Sequence, residues 1–272
     1  MRSKILFFDI DGTLMMFGGI IPESAKQALY AAKANGHKLI ICTGRSRAGV
    51  SAGIEALPFD GYVCASGGYV EYEGKVVCHE TWKPETIEKF VAFATENQVL
   101  FHLQCSGRIY VLDEQKAIID RKWEKRFADF GLLLKQFDSI AFSREEIKNT
   151  PDVDKAMYMD SPFSLEQMQQ MLPDYEVTGS SFDKEEAQNG EVTPEGITKA
   201  HGMKRLLDYI GAEVADSVAY GDGPNDYEML EFAGIGVAMG NADESLKQKA
   251  DMVTSAIDED GIYHSMKALH LI

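Results

Sequence analysis

The sequence predicts an α/β protein: a doubly wound parallel sheet with an inserted α+β domain. Three observations lead there. Ile5-Leu6-Phe7-Phe8 and Leu39-Ile40-Ile41-Cys42 are short, wholly apolar runs, the composition of strands buried on both faces of a parallel sheet. A stretch between them carries Ala25, Ala28, Leu29 and Ala32 at helical spacing, which completes a β-α-β unit. The same rhythm breaks after residue 80 and resumes near residue 190. A chain of 272 residues is a little under two domains of about 150 residues each.

Each element has its own local justification. Pro22 opens the first helix, and Asn35-Gly36 stops it. Thr43-Gly44 ends the second strand, a helix is expected from Arg47 to Ala56, and a third strand from Tyr62 to Ala65. Tyr69–Glu73 and Lys75–His79, separated by Gly74, read as a hairpin. Residues 81–188 mix helices (Pro84–Asn97, Asp113–Phe130, Ser164–Met171) with strands (Val99–Gln104, Arg108–Leu112, Ala156–Met159), the pattern of a separate α+β unit. Then come a helix at Ile197–Ile210, a strand at Ser217–Tyr220, a helix at Tyr227–Phe232 and a strand at Ile235–Met239. A helix at Ala242–Ala250 and a strand at Met252–Thr254 close the series. The expected division is therefore 1–80 with 189–272 for the core and 81–188 for the insertion.

Composition narrows the function. Hydrophobic residues make up 45% of the chain and charged residues 26%, enough core material to fold without disulfides or a structural metal. A net charge of −16 disfavours nucleic acid, whose phosphates need clustered Lys and Arg, and disfavours anionic membrane surfaces for the same reason. A small anionic substrate remains compatible, because one local cation can outweigh the global sign. Cys42, Cys64, Cys78 and Cys105 form no C-x-x-C pair and read as buried, reduced thiols. The basic start, Met1–Lys4, is followed by only four apolar residues before Asp9, so no secretory leader is expected. No apolar run approaches the ~20 residues that span a bilayer, and the expected location is the cytoplasm.

The chemistry concentrates where strands end. Asp9-Ile10-Asp11-Gly12-Thr13 puts two carboxylates, two residues apart, at the carboxyl edge of a buried strand, where open α/β sheets bind ligands. Such a pair holds a metal or shares a proton; an Asx turn satisfying backbone N–H groups is the structural alternative. An EF-hand starting at Asp9 would need Gly and Glu where Leu14 and Ile20 stand. Thr43-Gly44-Arg45 offers a hydroxyl and free amides to a phosphate oxygen, or simply a helix cap. Lys199, in the first turn of its helix and three residues after Gly196, opposes the helix dipole, or is a solvated charge. Gly221-Asp222-Gly223-Pro224-Asn225-Asp226 holds two carboxylates and a carboxamide in a tight loop, a donor set suited to Mg²⁺. Neither G-x-G-x-x-G at the first strand–helix turn nor a P-loop is present, which weighs against an oxidoreductase.

Taken in order, D-x-D-G-T, T-G-R, K and G-D-G-x-N-D resemble the haloacid dehalogenase-like phosphatase superfamily. The position of the insertion, between Thr43 and Lys199, is similar to its Cof-type branch with a C2-type α/β cap on a Rossmann-like core. Gly236-Val237-Ala238-Met239-Gly240-Asn241-Ala242, Ala250-Asp251 and Asp260-Gly261-Ile262 resemble that branch as well. The chain departs from many Cof-type members in carrying Ser66-Gly67-Gly68 where they show Asn-Gly.

The resemblance implies a Mg²⁺-dependent phosphatase for a small phosphomonoester, a sugar phosphate or nucleotide-like metabolite. It implies Asp9 as the nucleophile that forms an aspartyl-phosphate, and Asp11 as the acid and then the base. It further implies Mg²⁺ held by Asp9, the Asp11 carbonyl and Asp222. Thr43, Gly44, Lys199, Asn225 and the Ile10 amide would bind phosphate, and Asp226 would brace Lys199 or the metal's waters. Dehalogenase members lack the second aspartate, so Asp11 favours phosphoryl chemistry. A phosphomutase or phosphotransferase, and a non-catalytic phosphometabolite sensor, share these residues and stand as alternatives. In the insertion, His102, Gln104, Arg108, Tyr110 and Lys155 are candidates for contacting the leaving group, each with a bland alternative as a sheet or surface residue.

Overall fold

The computed structural model describes residues 3–16, 18–105, 108–130, 139–150, 152–179 and 188–272; Met1 and Arg2 of the basic start lie outside them. The chain divides into two compact units: Met1–Arg45 with Val50–His79 and Thr198–Ile272, and Ser46–Gly49 with Glu80–Ile197.

The first unit is built on an eight-stranded sheet. Its strands are β1 (Ile5–Phe8), β2 (Lys38–Cys42), β3 (Gly61–Cys64), β4 (Tyr69–Tyr72), β5 (Lys75–His79), β12 (Ser217–Gly221), β13 (Ile235–Ala238) and β14 (Met252–Val253). They lie in the order β14-β13-β12-β1-β2-β3-β4-β5. From β14 to β3 every pairing is parallel, and the β4–β5 hairpin adds an antiparallel edge. The chain builds outward from β1 to β2 and β3, then returns to the other flank of β1 with β12. The order thus reverses between β1 and β12, and that is where an open α/β sheet forms its ligand crevice.

The apolar run of β1 is explained by burial on both faces. Leu6 and Phe8 join a core with Ala25, Ala28, Leu29 and Ala32 of helix α1 (Glu23–Ala34) and Ile262 and Met266 of α10 (Gly261–Ala268). Ile5 and Phe7 point the other way, toward Met203, Leu206 and Leu207 of α7 (Lys199–Ile210) and Met229 and Leu230 of α8 (Tyr227–Phe232). The expected helix from Arg47 to Ala56 is two pieces, a 3₁₀ turn at Arg47–Gly49 and a short α2 (Ala52–Glu55). Ser51, extended at ψ 152°, breaks it.

The second unit is a six-stranded sheet ordered β10-β11-β9-β6-β7-β8. Its strands are β6 (Leu100–Cys105), β7 (Ile109–Leu112), β8 (Ser139–Phe142), β9 (Val153–Met159), β10 (Tyr175–Gly179) and β11 (Gly190–Pro194). All neighbours are antiparallel except β7 and β8. One face packs on α3 (Pro84–Glu96) and α6 (Leu165–Met171) through Phe90, Phe101, Tyr110, Tyr158 and Met168. On the other, Ile109, Val111 and Met159 meet Ile119 of α4 (Asp113–Phe130). The second unit runs on to Ile197, nine residues past its expected end at 188, because β11 pairs with β9 and β10 in this second sheet.

All four cysteines are free; Cys42, Cys64 and Cys105 are buried, and Cys78 is half-buried. No helix among the described residues is long and apolar enough to cross a membrane.

Candidate active site

At the carboxyl end of β1 the chain turns sharply: Leu14 N–H and Met15 N–H both donate to the Ile10 carbonyl, and Gly12 N–H donates to Met15 O. The turn buries Asp9 and leaves the Asp11 side chain partly exposed. The Ile10 side chain is core. Thr13, buried, donates from Oγ1 to Asp222 Oδ1 at 2.8 Å, joining the β1 loop to the loop after β12.

At the end of β2, Thr43 Oγ1 accepts the Arg45 N–H at 3.2 Å, the cap-like turn that the sequence allowed. The hydroxyl proton of Thr43 is not used by that bond. The Arg45 guanidinium reaches back to the β1 loop, where Nε meets Asp11 Oδ2 at 2.8 Å and Nη2 meets Oδ1 at 2.6 Å.

Lys199 opens α7 immediately after the capping Thr198 and is 1% exposed. Its Nζ donates to Asp9 Oδ1 and to Asp226 Oδ1, both at 2.6 Å. Asp226 accepts two further bonds, since Oδ2 takes the N–H groups of Asp222 and Gly223 at 3.0 Å each. It fixes the lysine and shapes the Gly221–Asp226 loop at once. Asn225, half-buried, lies in the Pro224–Asp226 turn beside Gly223. Carboxylate oxygens of Asp9, Asp222 and Asp226 all lie within 4.8 Å of one another, a group that could hold a metal ion.

The electrostatics point the same way. Burial pushes the Asp9 carboxyl well above the ordinary range; Lys199 pulls it back, while Asp226, Asp222 and Asp11 push it further up. Burial, then Asp226, raises Asp222 to about 7. Burial works against the charge on Lys199, but Asp226 and Asp9 outweigh it and hold the lysine above its ordinary value. Three close carboxylates around one lysine leave the site short of positive charge. A divalent cation fits that deficit, and hard oxygen donors are its usual ligands.

Three residues with positions in this network escaped the sequence reading. Arg45, Thr13 and Asn241 all stood inside quoted motifs without a contact assigned to them. Asn241 donates to Gly12 O at 2.9 Å and Asp222 Oδ2 at 3.4 Å, and its Oδ1 accepts Ile257 N–H at 3.0 Å.

In the second unit, strand alternation sorts the candidates. His102, Gln104 and Lys155 share one face: Gln104 Nε2 contacts His102 Nε2 at 3.2 Å and pairs in register with Lys155, whose Nζ reaches Glu191 at 2.8 Å. Tyr110 joins the apolar core on the opposite face, and Arg108 is exposed ahead of β7. The five candidates are therefore not one cluster.

Carboxylates crowded at a switch point around one lysine make this the candidate ligand site of the α/β sheet. The profile of the haloacid dehalogenase-like hydrolases matches residues 6–266. The chain belongs to that family, and within it to the phosphatases. Phosphatase YwpJ of Bacillus subtilis is 27% identical, over 98% of this chain and 99% of its own. The structure of a subclass IIB sugar phosphatase aligns with a TM-score of 0.83 at 33% identity, covering 99% of this chain and all of the other. A second phosphatase of this superfamily, from Bacteroides thetaiotaomicron, aligns with a TM-score of 0.83 at 27% identity over 99% and 96% of the two chains.

Proposed function

We propose that the protein is a Mg²⁺-dependent phosphatase that hydrolyses small phosphomonoesters through an aspartyl-phosphate on Asp9. The observation that carries this reading is the Asp9–Lys199–Asp226 bridge, with both contacts at 2.6 Å, at the sheet's switch point. The 33% identity with a sugar phosphatase makes sugar phosphates the first substrates to try, ahead of nucleotide-like metabolites.

The residues divide the work by their chemistry. Lys199 has three N–H donors; two hold Asp9 and Asp226, and the third is available to a phosphate oxygen. The Thr43 hydroxyl proton, the Gly44 and Ile10 amides and the Asn225 carboxamide complete the phosphate cradle. An Asp9 oxygen attacks phosphorus as the bond to the leaving oxygen breaks, and Asp11 delivers its proton to that oxygen. Asp11 then takes a proton from the water that cleaves the aspartyl-phosphate, releasing phosphate and restoring Asp9. Asp9, the Asp11 backbone carbonyl and Asp222 would hold Mg²⁺; Asp226, already accepting three hydrogen bonds, serves as a brace. Mg²⁺, when bound, neutralises charge on the transferring phosphoryl group.

The test is phosphate release from a panel of sugar phosphates, nucleotides and p-nitrophenyl phosphate, with and without Mg²⁺, beside Asp9→Asn. Turnover requiring both Mg²⁺ and Asp9 is expected. Full activity of Asp9→Asn would end the proposal.

A further inference from the structure

Arg45 makes a fork-on-fork pair with Asp11, two parallel contacts of 2.8 and 2.6 Å with the side chains 23% and 19% exposed. A bidentate guanidinium fixes the plane of a carboxylate as well as its place. Each carboxylate oxygen keeps another lone-pair direction, so the fork orients Asp11 without saturating it.

The backbone of Arg45 is itself pinned at both ends. Its N–H donates to Thr43 Oγ1, and its carbonyl accepts the Ala65 N–H at 2.7 Å. Ser66 N–H donates to Thr43 O at 3.2 Å. To make these bonds Ala65 and Ser66 adopt φ of 50° and 54°, left-handed conformations that non-glycine residues avoid. Strain of this sort persists where surrounding structure over-determines it, commonly at functional sites. The next residue, Gly67 at φ 106°, packs so closely that a β-carbon would lie 2.0 Å from the carbonyl oxygen of Thr198, the residue before Lys199. A single strained turn after β3 thus holds both the Thr43–Arg45 segment and the start of α7.

We propose that Arg45 is a positioning residue: through its fork it aims the Asp11 carboxyl at the leaving oxygen, so that the proton passes to that oxygen as the P–O bond breaks. The proposal rests on the phosphatase reading above. It goes beyond that reading by giving Arg45, not the phosphate cradle, control over leaving-group protonation.

Leaving-group chemistry tests it. An alkyl leaving oxygen needs a proton as its bond breaks, whereas p-nitrophenolate departs without one. The value of kcat/KM reports the steps up to phosphoryl transfer, so the ratio for the best sugar phosphate over p-nitrophenyl phosphate isolates proton delivery. Arg45→Met should lower that ratio by about 10²-fold, the low end for loss of a general acid or base, and Arg45→Lys should restore part of it. A lost phosphate contact or general damage would lower both substrates equally; an unchanged ratio therefore overturns the proposal. If Arg45→Met fails to fold, the same ratio in Arg45→Lys decides. Asp11→Asn and Asp9→Asn separate the failures. A ratio unmoved in Asp11→Asn removes the acid, and full activity in Asp9→Asn removes the phosphatase reading itself.

Discussion

A β-carbon on Gly12 would lie 2.2 Å from Asp222 Oδ2, and Gly12 has a φ of 86°. The glycine of the first motif is thus the space into which the carboxylate of the fourth fits. Gly12→Ala meets both left-handed strain and a collision with a charged side chain. The expected cost is about 2 kcal/mol of stability, with displacement of Asp222. Thermal melting checks the first effect. A weaker Mg²⁺-induced rise in melting temperature than the wild type shows checks the second.

Lys199→Met removes a cation that touches both Asp9 and Asp226 in a site where all three side chains are at most 7% exposed. Breaking a buried pair by deleting one partner leaves charge uncompensated, typically at a cost of about 3–5 kcal/mol. Melting of the metal-free protein should therefore fall by on the order of 10 °C. Added Mg²⁺ should recover some of that loss without restoring activity, because the donor proposed for the phosphate is gone. Unchanged melting in EDTA would contradict the bridge.

Much of this site was legible because each motif is local and terminates a strand. Asp9, Thr43 and Asp222 follow β1, β2 and β12, and parallel pairing brings three strand ends to one edge. What escaped depended on pairings between distant segments. Arg45 meets Asp11 across 34 residues and Asn241 meets Gly12 across 229, and no local pattern announces either bond. The same limit hid β8, β10 and β11, strands of four or five residues whose existence depends on their neighbours in the sheet. Helix α10, which the expected series of elements did not include, carries Ile262 and Met266 onto the α1 side of the core.

Asn241 ties three segments together, holding the Gly12 carbonyl, Asp222 Oδ2 and the Ile257 N–H. It touches no expected phosphate ligand, so its effect should fall on Asp222 and hence on metal binding. Outer partners of metal ligands typically contribute 10–100-fold in affinity or activity. Asn241→Ala should raise the Mg²⁺ concentration for half-maximal activity by about 10-fold, with a smaller loss at saturating Mg²⁺. A loss of activity that excess Mg²⁺ leaves untouched would place Asn241 in another role.

His102, on β6 of the second sheet, supplies a pH dependence of its own. Burial first, and the Lys155 charge second, pull its pKa from 6.5 down to about 3. The unfolded chain therefore takes up a proton near pH 6.5 that the folded protein refuses until about pH 3. The stability associated with neutral His102 is fully present above pH 6.5 and is lost as the pH falls toward 3. Between pH 7.5 and 4.5 the loss comes to about 2–3 kcal/mol, at about 1.4 kcal/mol per unit below 6.5. His102→Gln keeps a polar side chain beside Gln104 but has no proton to gain. Urea denaturation at the two pH values should show the wild type losing more stability than the variant by about that amount. Equal losses would mean that His102 titrates normally in the folded protein.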